Sequence, residues 1–212
     1  MSEHVIGNIP NATASDWAAG FYGKIPSRGD FVSGGLPRSF IDPWDRWLQE
    51  GMAASRIALG EGWISRWLKA PIWSFVLAPG ICGPEAAIGV WMPSVDRVGR
   101  HFPLTVVAIV SDGRVGNLMR EGGGFLAAAE QAGLAALESD ISPDDLLARV
   151  RAAVAAAPAG TGVDPAEFLD TRVLWWRLGT ALIPFSCFAG GTMPDPGVMS
   201  RMIDAPGKET TA

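Results

Sequence analysis

The fold is decided by three apolar runs in the middle of the chain: Ile72-Trp-Ser-Phe-Val-Leu-Ala78, Ala86-Ala-Ile-Gly-Val-Trp-Met92 and Pro103-Leu-Thr-Val-Val-Ala-Ile-Val110. Each run has the length of a strand, is bounded by proline or glycine, and contains β-branched or aromatic residues, which predicts three sheet strands. The connection Pro79–Glu85 has the length of a hairpin loop, so the first two strands are predicted to be antiparallel neighbours.

Helical patterns precede these strands. Asp42 followed by Pro43 is typical of a helix start, with Asp42 as the N-cap, and Gly62–Lys69 predicts a second helix that ends before Pro71. Ala19–Ile25 predicts a short strand near the N-terminus. The helical tryptophans recur at a spacing that predicts burial in the core: Trp44, Trp47, Trp63 and Trp67.

The rest of the chain predicts a mixture of helix and strand. Glu121–Glu138 is rich in Ala and Leu and is predicted to be helical, and Ser142 with the following proline opens another helix. Val173–Leu178 predicts a strand, and a tail rich in loops begins at Pro184. We expect one α/β domain over residues 19–205, with helices against a mixed, largely antiparallel sheet. Residues 1–18 are predicted to be a flexible lead-in and residues 206–212 a disordered tail.

Composition excludes several functional classes. Charged residues make up 18% of the 212 residues, and the net charge is −5, which argues against nucleic acid as a partner because phosphate binding needs a basic footprint. No stretch approaches the ~20 consecutive apolar residues of a membrane span, and the N-terminus lacks the pattern of a secretory signal. Two cysteines, Cys82 and Cys187, fit a reducing compartment. We expect a soluble cytoplasmic protein.

Two loops rich in glycine and proline, within Gly20–Phe31 and Pro93–Leu104, carry the charges that indicate a functional site. The candidate site residues are Lys24, Arg28, Asp30, Ser94, Asp96, Arg97, Arg100 and His101. Their complementary charges indicate either a surface that contacts a partner or an internal ion-pair network that holds the loops together. The two interpretations are compatible, because loops held by ion pairs also form a pre-organised binding surface.

The second loop also permits an enzymatic alternative, a small hydrolase or a phospho-residue-binding module that uses Ser94, Asp96, His101 and the loop arginines. No G-x-S-x-G motif surrounds Ser94, and a nucleophilic triad is defined by geometry rather than by closeness in sequence. Lys24 is not followed by the Ser or Thr of a phosphate-binding loop. The few His and Cys residues have no metal-ligand spacing. We expect no catalytic residues, cofactor or metal.

Long stretches of the first half resemble the TagF family, a group of accessory proteins of bacterial type VI secretion systems. The stretches that carry the resemblance are G-F-Y-G-K-I-P-S-R-G-D-F from Gly20, F-I-D-P-W-D-R-W-L-Q from Phe40, A-P-I-W-S-F-V-L-A-P-G from Ala70, and G-V-W-M-P-S-V-D-R-V-G-R-H-F-P-L-T from Gly89. The L-W-W at Leu174–Trp176 resembles a further family feature. The resemblance covers about half of the chain, from Gly20 to Val110.

The resemblance implies a fold and a function. The fold would be a three-layer α-β-α sandwich. The function would be that of a cytoplasmic regulator that represses assembly or firing of the secretion apparatus after translation, linked to the forkhead-associated scaffold protein and to the threonine phosphorylation pathway. Some relatives carry a phosphatase domain, but this chain has no Asp-rich metal-site pattern, so phosphatase activity is not implied. The family has no established catalytic residues.

Nine tryptophans stand beside a single tyrosine. Most are expected to fill the core, but tryptophan is also enriched at interface centres, so a partly exposed patch is expected too. Trp175 and Trp176 are the candidate interface aromatics, because adjacent residues of a strand point to opposite faces of the sheet. If helices cover both faces, both side chains would be buried; an open face would leave one of them for a partner.

Overall fold

The computed structural model describes residues 17–111, 113–168, 170–179 and 184–204. The helices and strands, in chain order, are β1 (Trp17–Gly23), β2 (Val32–Gly34), α1 (Arg38–Leu59), α2 (Trp63–Trp67), β3 (Trp73–Leu77), β4 (Ala86–Met92), β5 (Leu104–Val110), α3 (Val115–Glu121), α4 (Gly123–Glu138), α5 (Pro143–Ala153), β6 (Val173–Arg177), β7 (Ser186–Gly190) and α6 (Val198–Ile203). The predicted tail 206–212 and most of the predicted lead-in lie outside the described residues, but Trp17 and Ala18 already belong to β1.

The strands form one seven-stranded sheet in the order β2-β1-β5-β4-β3-β6-β7. Strands β3, β4 and β5 lie where the three apolar runs predict them. The β3–β4 hairpin is confirmed, with Trp73 opposite Trp91. The sheet was predicted to be mixed and largely antiparallel, and every strand pair among the described residues is antiparallel.

Helices cover both faces of the sheet, which confirms the α/β sandwich. Along β3, Trp73 and Phe75 face one side and Val76 faces the other, as the alternation of a strand requires. The first face packs against α1, α2 and α6, and the second packs against α3, α4 and α5. The central strands are buried on both faces, and for this reason β4 and β5 read as continuous apolar runs.

Helix α1 begins one turn earlier than the sequence predicts. It starts at Arg38, and the carbonyl of Pro37 accepts hydrogen bonds from Phe40 and Ile41, both at 3.1 Å. Pro43 therefore lies inside the helix rather than at its first position. Proline lacks an N–H donor, so the helix does without the bond that residue 43 would otherwise donate to the carbonyl of residue 39. The predicted N-cap role of Asp42 is wrong.

The predicted tail of loops from Pro184 instead contains β7 and α6. Strand β7 pairs with β6, with Phe188 opposite Trp175. Helix α6 buries one side against α1, where Gly51 leaves room for Met199; a Cβ on Gly51 would lie 2.6 Å from the Met199 Cε atom. These elements are short, and they are stabilised by contacts with residues distant in sequence.

The tryptophans fill the core, and none forms an exposed patch. Eight of the nine are buried, and Trp17 is partly buried. Trp175 faces α1 and Trp176 faces the other helical layer, with 0% and 1% of their surfaces exposed. The opposite orientation of the pair was predicted correctly, but helices cover both sides, so the interface role suggested for Trp175 and Trp176 is replaced by a role in the core.

Candidate functional site

The two charged loops lie side by side because β1 pairs with β5. Gly23, the last residue of β1, is opposite Leu104, the first residue of β5. The first loop therefore leaves β1 where the second loop enters β5. The approach is so close that a Cβ on Gly23 would lie 2.0 Å from the Pro103 carbonyl oxygen, and its φ of 140° is in the region that favours glycine. A residue with a side chain at position 23 would push the loops apart.

An ion-pair cluster, formed by the buried Lys24 and Asp96 and the exposed Arg100, joins the loops. The Lys24 Nζ atom lies 2.5 Å from Asp96 Oδ2, and both residues are buried. The Arg100 Nε atom donates to the same oxygen at 2.7 Å. The other carboxylate oxygen accepts hydrogen bonds from the backbone N–H groups of Val98 and Arg100, at 3.0 and 2.8 Å. Both carboxylate oxygens of Asp96 thus accept hydrogen bonds from groups of the protein itself.

The surroundings of Asp96 stabilise its charged form. Burial by itself would raise the pKa of the carboxyl group, but the hydrogen bonds from Lys24, from the Arg100 backbone and side chain, and from Val98 outweigh it. They hold the pKa of Asp96 well below its usual range. Three of the predicted site residues, Lys24, Asp96 and Arg100, therefore have the structural role that the internal-network interpretation describes.

Ser94 belongs to the same internal framework. Its hydroxyl donates to the Lys24 carbonyl at 2.7 Å, and its own carbonyl accepts from Trp67 Nε1 at 3.0 Å and from the Phe102 backbone N–H at 3.2 Å. The Trp67 bond ties the second loop to α2. Sequence reasoning assigned Trp67 only to the core, because its polar contact with a loop 27 residues away has no local pattern.

His101 does not form a catalytic pair with Ser94 or Asp96. Its ring is half-buried against the edges of Trp63 and Trp67, with ring centres 5.5 and 6.4 Å apart. Within the described parts of the chain, no hydrogen bond joins His101 to the Ser94 hydroxyl or to the Asp96 carboxylate. The Ser, Asp and His of this loop are therefore not arranged as a nucleophile, orienting acid and base.

The environment of His101 gives a testable pH dependence. Burial, together with the positive charge of Arg56, lowers the pKa of His101 from 6.5. The unfolded chain would then bind a proton at a higher pH than the folded protein, so we expect the free energy of unfolding to fall as the pH drops below about 6.5. Urea unfolding at about pH 7.5 and about pH 5.5 measures this, and His101→Gln should have the smaller difference. An unchanged difference in the variant would contradict the assignment.

The outer side of the loops exposes an arginine surface, formed by Arg28, Arg97 and Val98. The Arg97 backbone N–H donates to the Arg28 carbonyl at 2.9 Å, which holds the two residues together. Neither guanidinium forms an ion pair with a described residue. Val98, between the arginines of the second loop, is 66% exposed. Asp30 contributes only an exposed contact with Arg100, at 3.7 Å.

A groove of about 460 Å³ lies beside this surface, between the first loop and the end of α4. Arg28 and Arg97 line one side of the groove, and Glu138 and Asp140 line another. The first loop is fixed to the segment after α4, because the Ser27 hydroxyl donates to the Ile141 carbonyl at 2.8 Å. The structure thus brings all eight charged-loop candidates to one region but gives them different roles. The internal framework contains Lys24, Ser94, Asp96 and Arg100, the exposed side contains Arg28, Asp30 and Arg97, and His101 packs against two tryptophans. Trp175 and Trp176 lie elsewhere, in the core.

Two further observations concern the described residues only. They contain no group of three or more His, Cys, Asp or Glu side chains placed to hold a metal ion. None of their helices combines the length and the apolar character that crossing a membrane requires.

Comparison with known proteins agrees with this fold. A crystal structure of PA0076 from Pseudomonas aeruginosa PAO1 is similar to 90% of this chain, over 96% of its own chain, with 35% sequence identity and a TM-score of 0.73. No curated protein sequence gives a significant match. The family model described as the TagF N-terminal domain, type VI secretion system-associated, matches residues 20–153, which include both charged loops. The chain therefore belongs to the TagF N-terminal domain family, which is associated with the type VI secretion system.

Proposed function

We propose that this protein is a non-enzymatic, post-translational regulator of the type VI secretion system that represses its assembly or firing. It would act in the cytoplasm by binding another component of the system, such as the forkhead-associated scaffold protein. Family membership supports the association with the secretion system. The single observation that supports binding through this site is the arginine surface, where two guanidinium groups are exposed on loops held rigid by the ion-pair cluster.

The rigidity of the loops favours binding. The ion-pair cluster holds the two loops together before any partner arrives, so little conformational entropy is lost when a complex forms. Arg28 and Arg97 can each present a planar fork of donors to a carboxylate or phosphate group. Arginine is also enriched at interfaces, and the exposed Val98 adds apolar contact area beside Arg97. The complementary partner surface would be acidic with an apolar centre.

The structure separates the roles of two arginines in the second loop. Arg100 binds Asp96 and also donates to the Gly29 carbonyl, so its loss would loosen the loops. Arg97 contacts the first loop through its backbone N–H, and its exposed side chain forms no ion pair with a described residue, so it can reach a partner. A variant that changes both residues would therefore mix a structural effect with a binding effect, and the two must be tested separately.

We expect Arg28→Glu combined with Arg97→Glu to weaken partner binding by at least ~30-fold, the effect of losing a hot spot of about 2 kcal/mol. Because both side chains are exposed, the melting temperature should stay near that of the wild type. The measurement is a titration of the purified scaffold protein against each variant, preceded by a pull-down from a type VI-positive lysate. Arg149→Glu is the matched control, since Arg149 is an exposed arginine on α5 that forms no ion pair with a described residue.

The possible results separate the parts of the proposal. Equal binding by the wild type, the double variant and the Arg149→Glu control would place the contact outside the arginine surface. Failure of the folded wild type to bind the scaffold would contradict the choice of partner, and the same pull-down would show which other component binds. Loss of binding in the Arg149→Glu control as well would indicate a general charge effect rather than a defined surface.

A further inference from the structure

Strand β7 is an edge strand of the sheet. The Arg172 carbonyl accepts a hydrogen bond from the Ala78 N–H on the β3 side, whereas the Gly190 carbonyl of β7 is directed toward β6 and accepts from the Arg172 N–H. Because successive residues of a strand direct their N–H and C=O groups to opposite sides, Trp175 directs its groups toward β7. There its partner is Phe188. The residues on either side of Phe188 therefore direct their backbone groups away from the sheet.

Those two residues, Cys187 and Ala189, leave hydrogen-bonding groups at an open edge. Both side chains are exposed, and they share the face occupied by their partners Trp176 and Leu174 on β6. No described strand pairs with this side of β7. An unpaired row of N–H and C=O groups is a template for another strand.

Strand β7 itself lacks the charged residues and the proline by which proteins normally prevent such pairing. Natural edge strands carry charged residues, especially lysine, or proline within the strand. Here the sequence contains no charged residue from Leu178 to Pro194. Phe185, which directly precedes β7, is 48% exposed, and Leu178, which follows β6, is 55% exposed. The opposite edge differs, because β2 has only three residues and lies between the exposed charged residues Asp30 and Arg38.

We propose that β7 pairs with β7 of a second copy of this chain, in antiparallel orientation, so that two sheets become one continuous sheet. Two-fold symmetry about Phe188 places Cys187 opposite Ala189 of the second copy, and Phe188 opposite its own equivalent. In this register the small side chains of Cys187 and Ala189 lie opposite each other, and the two Phe188 rings form an aromatic cross-strand pair. Each chain has a net charge of −5, and an uncharged edge is where two such molecules can meet without opposing like charges.

The contact is small, because only five residues of each copy take part in the pairing. We therefore expect a weak dimer that forms with increasing protein concentration, in keeping with the low end of interface sizes. Sedimentation velocity over a range of concentrations, in reducing buffer, measures it on the full chain. A wild type that stays monomeric up to the highest soluble concentration would overturn the proposal.

Ala189→Pro is the sharpest variant. It removes the outward N–H of Ala189, which has no hydrogen-bond partner among the described residues, and proline is tolerated at such an edge position. We expect the variant to be monomeric with an unchanged melting temperature, while Ala189→Ser, which keeps the N–H, still dimerises. If the proline variant is destabilised, Ala189→Lys tests the same edge by introducing a charge. A dimer that persists in the folded Pro or Lys variant would show that the interface lies elsewhere.

The register can be tested by disulfide formation between two different chains. A chain with Cys187 is mixed with a Cys187→Ser/Ala189→Cys chain and exposed to diamide as the oxidant. In the proposed register Cys187 is opposite position 189 of the second copy, at the ~5.5 Å between Cα atoms that a disulfide can span. We expect the mixed dimer to form fastest. Formation of both homodimers at the same rate would overturn this register. Cys82 is buried, and burial raises the pKa of its thiol to about 12, so it should not react.

Discussion

Asp96→Asn is expected to lower the free energy of unfolding by about 3–5 kcal/mol, the typical cost of removing one partner from a buried ion pair. The Lys24 ammonium group would stay buried but lose the carboxylate that lies 2.5 Å away. The backbone N–H groups of Val98 and Arg100 would also lose a charged acceptor. Urea unfolding of the purified variant measures the loss, with the slope of the transition checked against the wild type.

Three comparisons make this result specific. Asp30→Asn, at a fully exposed carboxylate of the same surface, should change the stability by less than about 0.5 kcal/mol. Lys24→Met added to Asp96→Asn should recover part of the loss, because the unpaired buried charge is then removed as well. In the wild type, stability from Asp96 is present above the unfolded pKa of about 3.9 and is lost as the pH falls further. An Asp96→Asn protein as stable as the wild type would contradict the role of the ion-pair cluster.

Trp175→Ala is expected to destabilise the protein by about 3–5 kcal/mol, because it creates a large cavity in the core. Trp175 has no exposed surface. Its ring stacks on Trp44 at 5.6 Å with only 4° between the planes, and it also contacts Trp47 at 5.2 Å and Phe75 at 4.9 Å. The loss would appear as a lower urea midpoint and a lower melting temperature.

The matched variant for this position is Trp175→Phe. The Trp175 Nε1 atom has no hydrogen-bond partner among the residues that the structure describes, so phenylalanine removes ring volume without breaking one of the described polar contacts. We expect Trp175→Phe to cost clearly less than Trp175→Ala. If Trp175→Ala instead kept its stability but lost partner binding, the residue would act at an interface after all, and its burial in the core would have to be reconsidered.

The central strands could be predicted because their signals are local. Strand β4 was predicted with its observed bounds, since Gly and Pro mark both ends of an apolar run. Two of the elements that prediction missed, β7 and α6, have no such signal. Their residues become ordered by pairing with β6 and by packing against α1, which are tertiary effects that no sequence window contains. The predicted start of α1 was wrong because proline is compatible with several positions near the start of a helix, so Pro43 alone does not show where the helix begins.

The candidate site was predicted as a set of residues but not as an arrangement. The sequence shows complementary charges in two loops, yet it does not show that Lys24 rather than Arg28 pairs with Asp96. That choice depends on the register of β1 against β5 and on the burial that follows from it. Which loop residues belong to the internal cluster and which to the exposed surface likewise depends on how deeply each residue is buried in the fold. For this reason the sequence alone leaves both interpretations of the loops open.

The pairing of β1 with β5 also determines when the arginine surface can exist during synthesis. Lys24 and Asp96 are 72 residues apart in the chain, and β1 finds its neighbour only after β5 has left the ribosome. Contacts that close so long a loop are costly in entropy and form late in folding. A truncated or partly folded chain would therefore lack the surface. Binding through these loops would then be restricted to molecules whose sheet is complete, which would keep nascent and damaged copies from occupying the partner.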